Sequence, residues 1–253
     1  MESSSSAGPK ELTFVRGVNG YKVVLYGNHL CSVEVQLYGA RVISWKNHHG
    51  QELLFVTKAD SKPPKPVAGG IQICFPRVSA HGYRDLHELA RYRRWKIDNS
   101  PPPLPTCSLT RAFVDLILKP SDDDLKLWPH RFEYRLRVAL GHRGDLTLIS
   151  LIKNMDITGG RNFSFTFAYR NYFRVSQINE VRVEGLGTLM YYIDNLEDED
   201  HKILDHVDTI TFQSEVDKVF LNTTSKICVM DQQKGQALVI HKEGLPDLGK
   251  QFE

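Results

Sequence analysis

Three observations predict an all-β fold, a large antiparallel sandwich. Nearly every apolar segment has the period or the length of a strand. Gly- and Pro-containing stretches part these segments at short intervals. No stretch carries a helical apolar period for more than a turn or two, which argues against βαβ units. At 253 residues the chain is long enough to bury a full core.

The elements follow in order. Tyr21 to Tyr26, Cys31 to Tyr38 and Arg41 to Trp45 read as strands separated by Gly-containing turns. Val33, Val35 and Leu37 alternate with Ser32, Glu34 and Gln36, which predicts one wet face. Glu52 to Val56 reads as the next strand. Lys58 to Val67 is too rich in proline for a ladder. Ile71 to Phe75 is a short buried strand behind two glycines, and Arg77 to Arg91 is irregular. Tyr92 to Ile97 reads as a strand, and Pro101 to Pro105 as a stiff connector within the domain. Cys107 to Lys119, Arg131 to Leu140 and Asp145 to Asn154 form an antiparallel meander. In its middle strand Phe132, Tyr134, Leu136, Val138 and Leu140 supply the core face, and Glu133, Arg135 and Arg137 are expected to face water. Asn162 to Tyr169 sets Phe163, Phe165 and Phe167 on one face. Glu180 to Glu184, Thr188 to Ile193, Thr209 to Phe212, Val219 to Leu221, Ile227 to Met230 and Ala237 to His241 complete the series. Leu196 to Asp208 reads as a solvated acidic loop. Residues 1–10 read as a disordered Ser-rich tail and 11–253 as a single β-sandwich domain.

Composition narrows the function. A net charge of +2 implies no basic face for nucleic acid. No apolar run approaches membrane-spanning length. Cys31, Cys74, Cys107 and Cys228 are widely spaced and read as free thiols of a reducing, cytoplasmic compartment. His48-His49, and His201 with His206, lack the shared face a metal site needs, so no metal is expected.

The chemistry-bearing stretch is Gly69-Gly70-Ile71-Gln72-Ile73-Cys74-Phe75-Pro76. Its glycines allow a tight turn or a close approach of backbone, and its strand presents its ends to a site. Together with His87 to Trp95, Asn162 to Glu184, Ser214 to Leu221 and Lys242 to Asp247, it resembles the glucose-6-phosphate 1-epimerase family of the galactose-mutarotase-like superfamily, in its plant-type form. The resemblance covers nearly the whole chain after the Ser-rich tail. It implies an antiparallel β-supersandwich with a sugar in a cleft across one sheet. It implies interconversion of the α and β anomers of a hexose 6-phosphate, with a Glu base, a His acid, no cofactor and no metal. A His suits that task because its pKa lies near working pH.

The chain departs from that pattern where proton transfer is expected. Arg170-Asn171-Tyr172-Phe173 stands where the family carries His-Thr-Tyr-Phe. A guanidinium donates hydrogen bonds but does not hand over a proton. The family's base lies beyond a Leu-Pro-Asp motif, in C-terminal strands for which Leu248 to Glu253 offers no counterpart, so the resemblance implies a truncated chain. Ala68 replaces a substrate-binding Arg. The resemblance leaves Arg91 for a phosphate, and Asp217 and His87 for sugar hydroxyls. The expected ligand is a small sugar phosphate. The readings left open are a hexose-6-phosphate 1-epimerase impaired at these positions, an inactive hexose-phosphate-binding relative, and a truncated gene product. Exposed strand edges predict self-association.

Overall fold

The computed structural model describes residues 12–17, 20–27, 30–57, 68–77, 89–104, 110–156, 162–187, 190–194, 202–205, 209–216, 218–221 and 223–245. The chain divides into two compact units, residues 1–174 and 175–253. The expected tail, residues 1–10, lies outside the described residues, as do Cys107, His87 and Asp217.

Among its described residues the first unit holds ten strands: β1 (Leu12–Gly17), β2 (Gly20–Tyr26), β3 (Ser32–Gln36), β4 (Arg41–Lys46), β5 (Ile71–Cys74), β6 (Lys96–Ile97), β7 (Thr110–Leu118), β8 (Phe132–Gly141), β9 (Leu146–Asn154) and β10 (Ala168–Asn171). They form a six-stranded sheet, β1-β2-β3-β4-β5-β10, and a four-stranded sheet, β6-β7-β8-β9. Among the described residues every pairing in these two sheets is antiparallel. One hydrophobic cluster joins the two. Val23, Leu25, Val33, Val35, Val42, Ile71 and Ile73 come from the first sheet, and Val114, Leu116, Phe132, Tyr134, Leu136 and Val138 from the second. The period-2 alternation of these strands places one residue in two inside, so each sheet closes the other.

Phe75 sits at the centre of this cluster. Its ring meets Trp128, Phe132, Tyr134 and Phe165 edge-on at centroid distances of 5.2–5.7 Å. Phe163, Phe165 and Phe167 pack on the core as the alternation predicts. The regular ladder begins only at Ala168. A six-residue helix, α1 (Asp122–Leu127), is capped by Ser121, which accepts from the Asp124 backbone N–H while the Asp124 carboxylate accepts from the Ser121 N–H.

Several expectations are corrected. Glu133 and Arg137 do not face water: they are 6% and 4% exposed, and Arg135 is largely shielded. The reason is mutual neutralisation across the ladder. Arg137 faces Asp115 on β7, Arg135 donates to Asp98, and Glu133 accepts from Lys119. Opposed charges of this kind can be buried together where a single one could not. Gln36 is likewise buried, so the outer face of β3 is only partly wet. Glu52 to Val56 makes isolated bridges, not a continuous strand, because it changes partners within five residues. Of Tyr92 to Ile97 only Lys96–Ile97 is a strand, and Leu89–Tyr92 is a 3₁₀ turn. β1 was not expected at all.

The second unit contains β11 (Val181–Glu184), β12 (Met190–Asp194), β13 (Lys202–Asp205), β14 (Thr209–Thr211), β15 (Lys218–Leu221), β16 (Lys226–Asp231) and β17 (Gln236–His241). Its sheets are β14-β11-β16-β17 and β13-β12-β15. Within the expected solvated loop Leu196 to Asp208, Lys202–Asp205 is strand β13, and residues 196–201 and 206–208 lie outside the described residues. The strand is only four residues long, and its pattern shows nothing until Ile203 and Leu204 pair with Tyr192 and Tyr191. Asp231 is fixed by the Ser176 N–H at 2.8 Å and the Ser176 hydroxyl at 2.5 Å. Cys31 and Cys74 are buried thiols and Cys228 a half-buried one, each outside any disulfide.

Candidate functional site

β5 organises the site. Gly69 and Gly70 have φ of +101° and +73°, in the region that favours glycine. A Cβ on Gly69 would lie 2.2 Å from the Phe55 carbonyl oxygen, and one on Gly70 would lie 2.2 Å from that of Val42. The bare backbone lets three segments converge. The Gly70 N–H donates to the Phe55 carbonyl at 2.7 Å, the Tyr172 N–H to that of Gly70 at 2.9 Å, and the Phe55 N–H to that of Tyr172 at 2.8 Å. The chain that carries Arg170 is thereby locked beside β5.

Arg170 pairs with Gln72 in the β5–β10 register. Cross-strand partners share a face. Ile71 and Ile73 face the core, so Gln72 and Arg170 lie on the opposite, outer face. Arg170 is exposed, whereas Gln72 is 2% exposed. The Gln72 Nε2 donates to the Gly69 carbonyl at 3.3 Å, and its buried Oε1 has no hydrogen-bond partner.

The same level of the sheet carries a row of polar residues. Lys22 pairs with Gln36, and Gln36 with Arg41. The Val42–Ile71 pairing sets Arg41 level with Gln72. Lys22, Gln36, Arg41, Gln72 and Arg170 thus run across β2, β3, β4, β5 and β10. Gln36 and Arg41 are 4% and 1% exposed. Glu34 neutralises Lys22 at 2.6 Å. Two arginines flank Gln72, Arg41 on one side and Arg170 on the other.

Arg91 belongs to the 3₁₀ turn Leu89–Tyr92, whose Leu89 and Ala90 are buried in the core. The Ala90 N–H donates to the Phe75 carbonyl at 3.2 Å, and the Trp95 indole N–H donates to the Ala90 carbonyl at 3.0 Å. The Arg91 guanidinium lies 5.7 Å from the Tyr92 ring centroid. The structure therefore attaches both arginine-bearing elements to one strand, Arg170 beside Gln72 and the Arg91 turn at Phe75. These attachment points are roughly 10 Å apart at the rise of an extended chain. His87 and Asp217 fall outside the described residues, and Asp217 belongs to the second unit. Gln72 and Arg41 were missed as site residues. The available signal was a lone amide inside the apolar run Ile71 to Phe75, and an Arg opening a core strand. Among the described residues no three His, Cys, Asp or Glu side chains gather as a metal cage requires, and no helix is long and apolar enough to cross a membrane.

A family model described as aldose 1-epimerase matches residues 21–248. The chain belongs to the aldose 1-epimerase family. It is 56% identical over 227 residues to a provisionally named glucose-6-phosphate 1-epimerase of Cenchrus ciliaris, covering 89% of this chain and 68% of that protein. A protein of the same provisional name from Escherichia coli K12 is 26% identical over 218 residues, covering 84% and 68%. Two solved structures share the fold. One is a provisionally named mutarotase from Salmonella typhimurium, with a TM-score of 0.68 at 22% identity, covering 87% of this chain and 70% of that one. The other is a galactose mutarotase-like protein from Clostridium acetobutylicum, with a TM-score of 0.67 at 12% identity, covering 92% and 81%. The aldose 1-epimerase family thus supplies the antiparallel, galactose mutarotase-like architecture that the sequence predicts.

Proposed function

We propose that this family member recognises a hexose 6-phosphate on the outer face of its six-stranded sheet, and that Arg170 holds the sugar there without moving a proton. One observation carries this reading. Arg170 is an exposed cation on a strand locked beside the Gly69-Gly70 turn, at the position where the sequence resemblance implies an acid His. Anomer interconversion needs a base at the anomeric hydroxyl and an acid at the ring oxygen. A guanidinium can donate a hydrogen bond to that oxygen and ease the charge that develops there, but it retains its proton. Losing a positioned acid lowers the rate by roughly 10²–10⁴-fold. Arg91 is the candidate for the phosphate, as a charge-assisted partner. His87 and Asp217 keep the hydroxyl-binding roles that the resemblance implies.

The test uses purified protein, a melt with and without glucose 6-phosphate, and the optical rotation of freshly dissolved α-anomer. The expected result is a raised melting midpoint, because a ligand held only by the folded chain stabilises it, together with anomerisation near the buffer rate. An unmoved midpoint at millimolar ligand rejects the recognition site. Anomerisation far above buffer rejects the assignment of Arg170 as a holding group, and favours an active 1-epimerase.

A further inference from the structure

We infer that Gln72 is the positioning residue for Arg170, its buried Oε1 being the acceptor on which the guanidinium docks when a sugar phosphate is bound. This rests on the proposed role of Arg170. Three observations carry it. Gln72 and Arg170 are direct register partners on one face of the sheet. The Gln72 amide is already oriented: its Nε2 is committed to the Gly69 carbonyl, so Oε1 is the end left over. That oxygen is buried and unpartnered, a costly state that native structures rarely leave without a purpose.

The donor has to be a neighbour with spare N–H groups that can reach a site closed to solvent. Arg41 is level with Gln72 on its other side and 1% exposed, yet its guanidinium makes no hydrogen bond to the Gln72 Oε1. Arg170 is exposed and can change rotamer. A guanidinium carries five N–H donors in a planar fork, so one edge can rest on Gln72 while another donates to the sugar ring oxygen. Docking on Gln72 aligns that fork and removes rotamer freedom before the ligand's oxygens arrive, which is the usual benefit of a preorganised cation.

A double-mutant cycle tests this, with glucose 6-phosphate as the probe and calorimetric affinity as the readout. Gln72→Leu keeps the shape and deletes the acceptor. It is expected to weaken binding by about tenfold, the worth of one hydrogen bond to a charged group. Its melting midpoint without ligand should change little, since removing the unpartnered buried oxygen offsets the loss of the Nε2 bond to the Gly69 carbonyl. In an Arg170→Met background the same change should alter affinity by less than about twofold, because nothing is left to position. Gln72→Met serves if the leucine variant does not fold. An equal loss from Gln72→Leu in both backgrounds, or no loss in the parent, overturns the inference and leaves sugar-phosphate recognition standing. Undiminished binding by Arg170→Met overturns both the inference and the holding role of Arg170. Absence of binding by the parent chain rejects the recognition site itself.

Discussion

Arg137 forks onto Asp115 across the β7–β8 ladder, with Nε and Nη2 each 2.8 Å from a carboxylate oxygen. Its third arm donates to the Leu104 carbonyl at 3.1 Å, and its guanidinium lies 4.5 Å from the centroid of the exposed Phe113 ring. Both side chains are almost entirely buried, at 5% and 3% exposure. Breaking such a pair from one side leaves a stranded charge. Arg137→Met should therefore cost about 3–5 kcal/mol, whereas Arg137→Met with Asp115→Leu should be near neutral. Urea unfolding of the three proteins decides the matter. A double variant as unstable as the single one shows that the pair contributes more than mutual neutralisation.

Gly70 and Gly235 both have positive φ, +73° and +60°, yet they predict different outcomes. An alanine Cβ at position 70 meets the Val42 carbonyl oxygen at 2.2 Å, while one at 235 meets nothing within 4 Å. Gly235→Ala should cost only the left-handed penalty of about 1–2 kcal/mol. Gly70→Ala must also move backbone of β4, so its loss should be several times larger, or the chain should fail to fold. Equal midpoints in urea for the two variants would mean that the turn before β5 yields easily.

Acid should destabilise the first unit through carboxylates that its cations hold ionised. Burial pushes the Asp124 carboxyl up, but hydrogen bonds from Arg93 and from the Ser121 N–H and hydroxyl outweigh it and keep it below its ordinary value. Glu133 is held down chiefly by its bond from Lys119, and Asp98, despite its burial, by Arg135. A carboxyl lowered by folding binds its proton more readily in the unfolded chain. The stability it gives is complete above the unfolded carboxylate values, about 4, and is lost as pH falls through the folded value. The melting midpoint should accordingly be level between about pH 5 and 7 and fall steeply below about 4. Asp124→Asn should melt lower at neutral pH and lose less on acidification. An unchanged acid slope in that variant removes Asp124 from the explanation.

How much of this was legible in the sequence depended on whether a residue's meaning is local. Phe132, Tyr134, Leu136, Val138 and Leu140 were correctly placed inside because alternation is a property of one strand. Glu133, Arg135 and Arg137 were misplaced because their burial depends on Lys119, Asp98 and Asp115, which only the assembled sheet brings within reach of them. Gly69 and Gly70 could be read directly, since few other reasons put two glycines before a core strand. Gln72 could not, because a lone amide in an apolar run acquires a partner only when the β5–β10 register sets Arg170 beside it. β13 was hidden for the same reason, being defined by β12 and not by its own four residues.

The polar row across the six-stranded sheet predicts what kind of sugar the first unit prefers. Lys22 is matched by Glu34 at 2.6 Å, and Arg170 stands as an exposed cation beside the neutral Gln72. An excess positive field on one sheet face raises the local concentration of anions and acts weakly on neutral molecules. Glucose 6-phosphate should therefore raise the melting midpoint at concentrations where glucose leaves it unmoved. The difference should shrink as sodium chloride is raised from about 0.01 to 1 M, because the screening length falls from about 30 to 3 Å over that range. Arg170→Met should reduce the response to glucose 6-phosphate and make what remains less sensitive to salt. Equal responses to the two sugars, or one indifferent to salt, would show that the ligand is gripped by its hydroxyls and that the arginines serve the sheet itself.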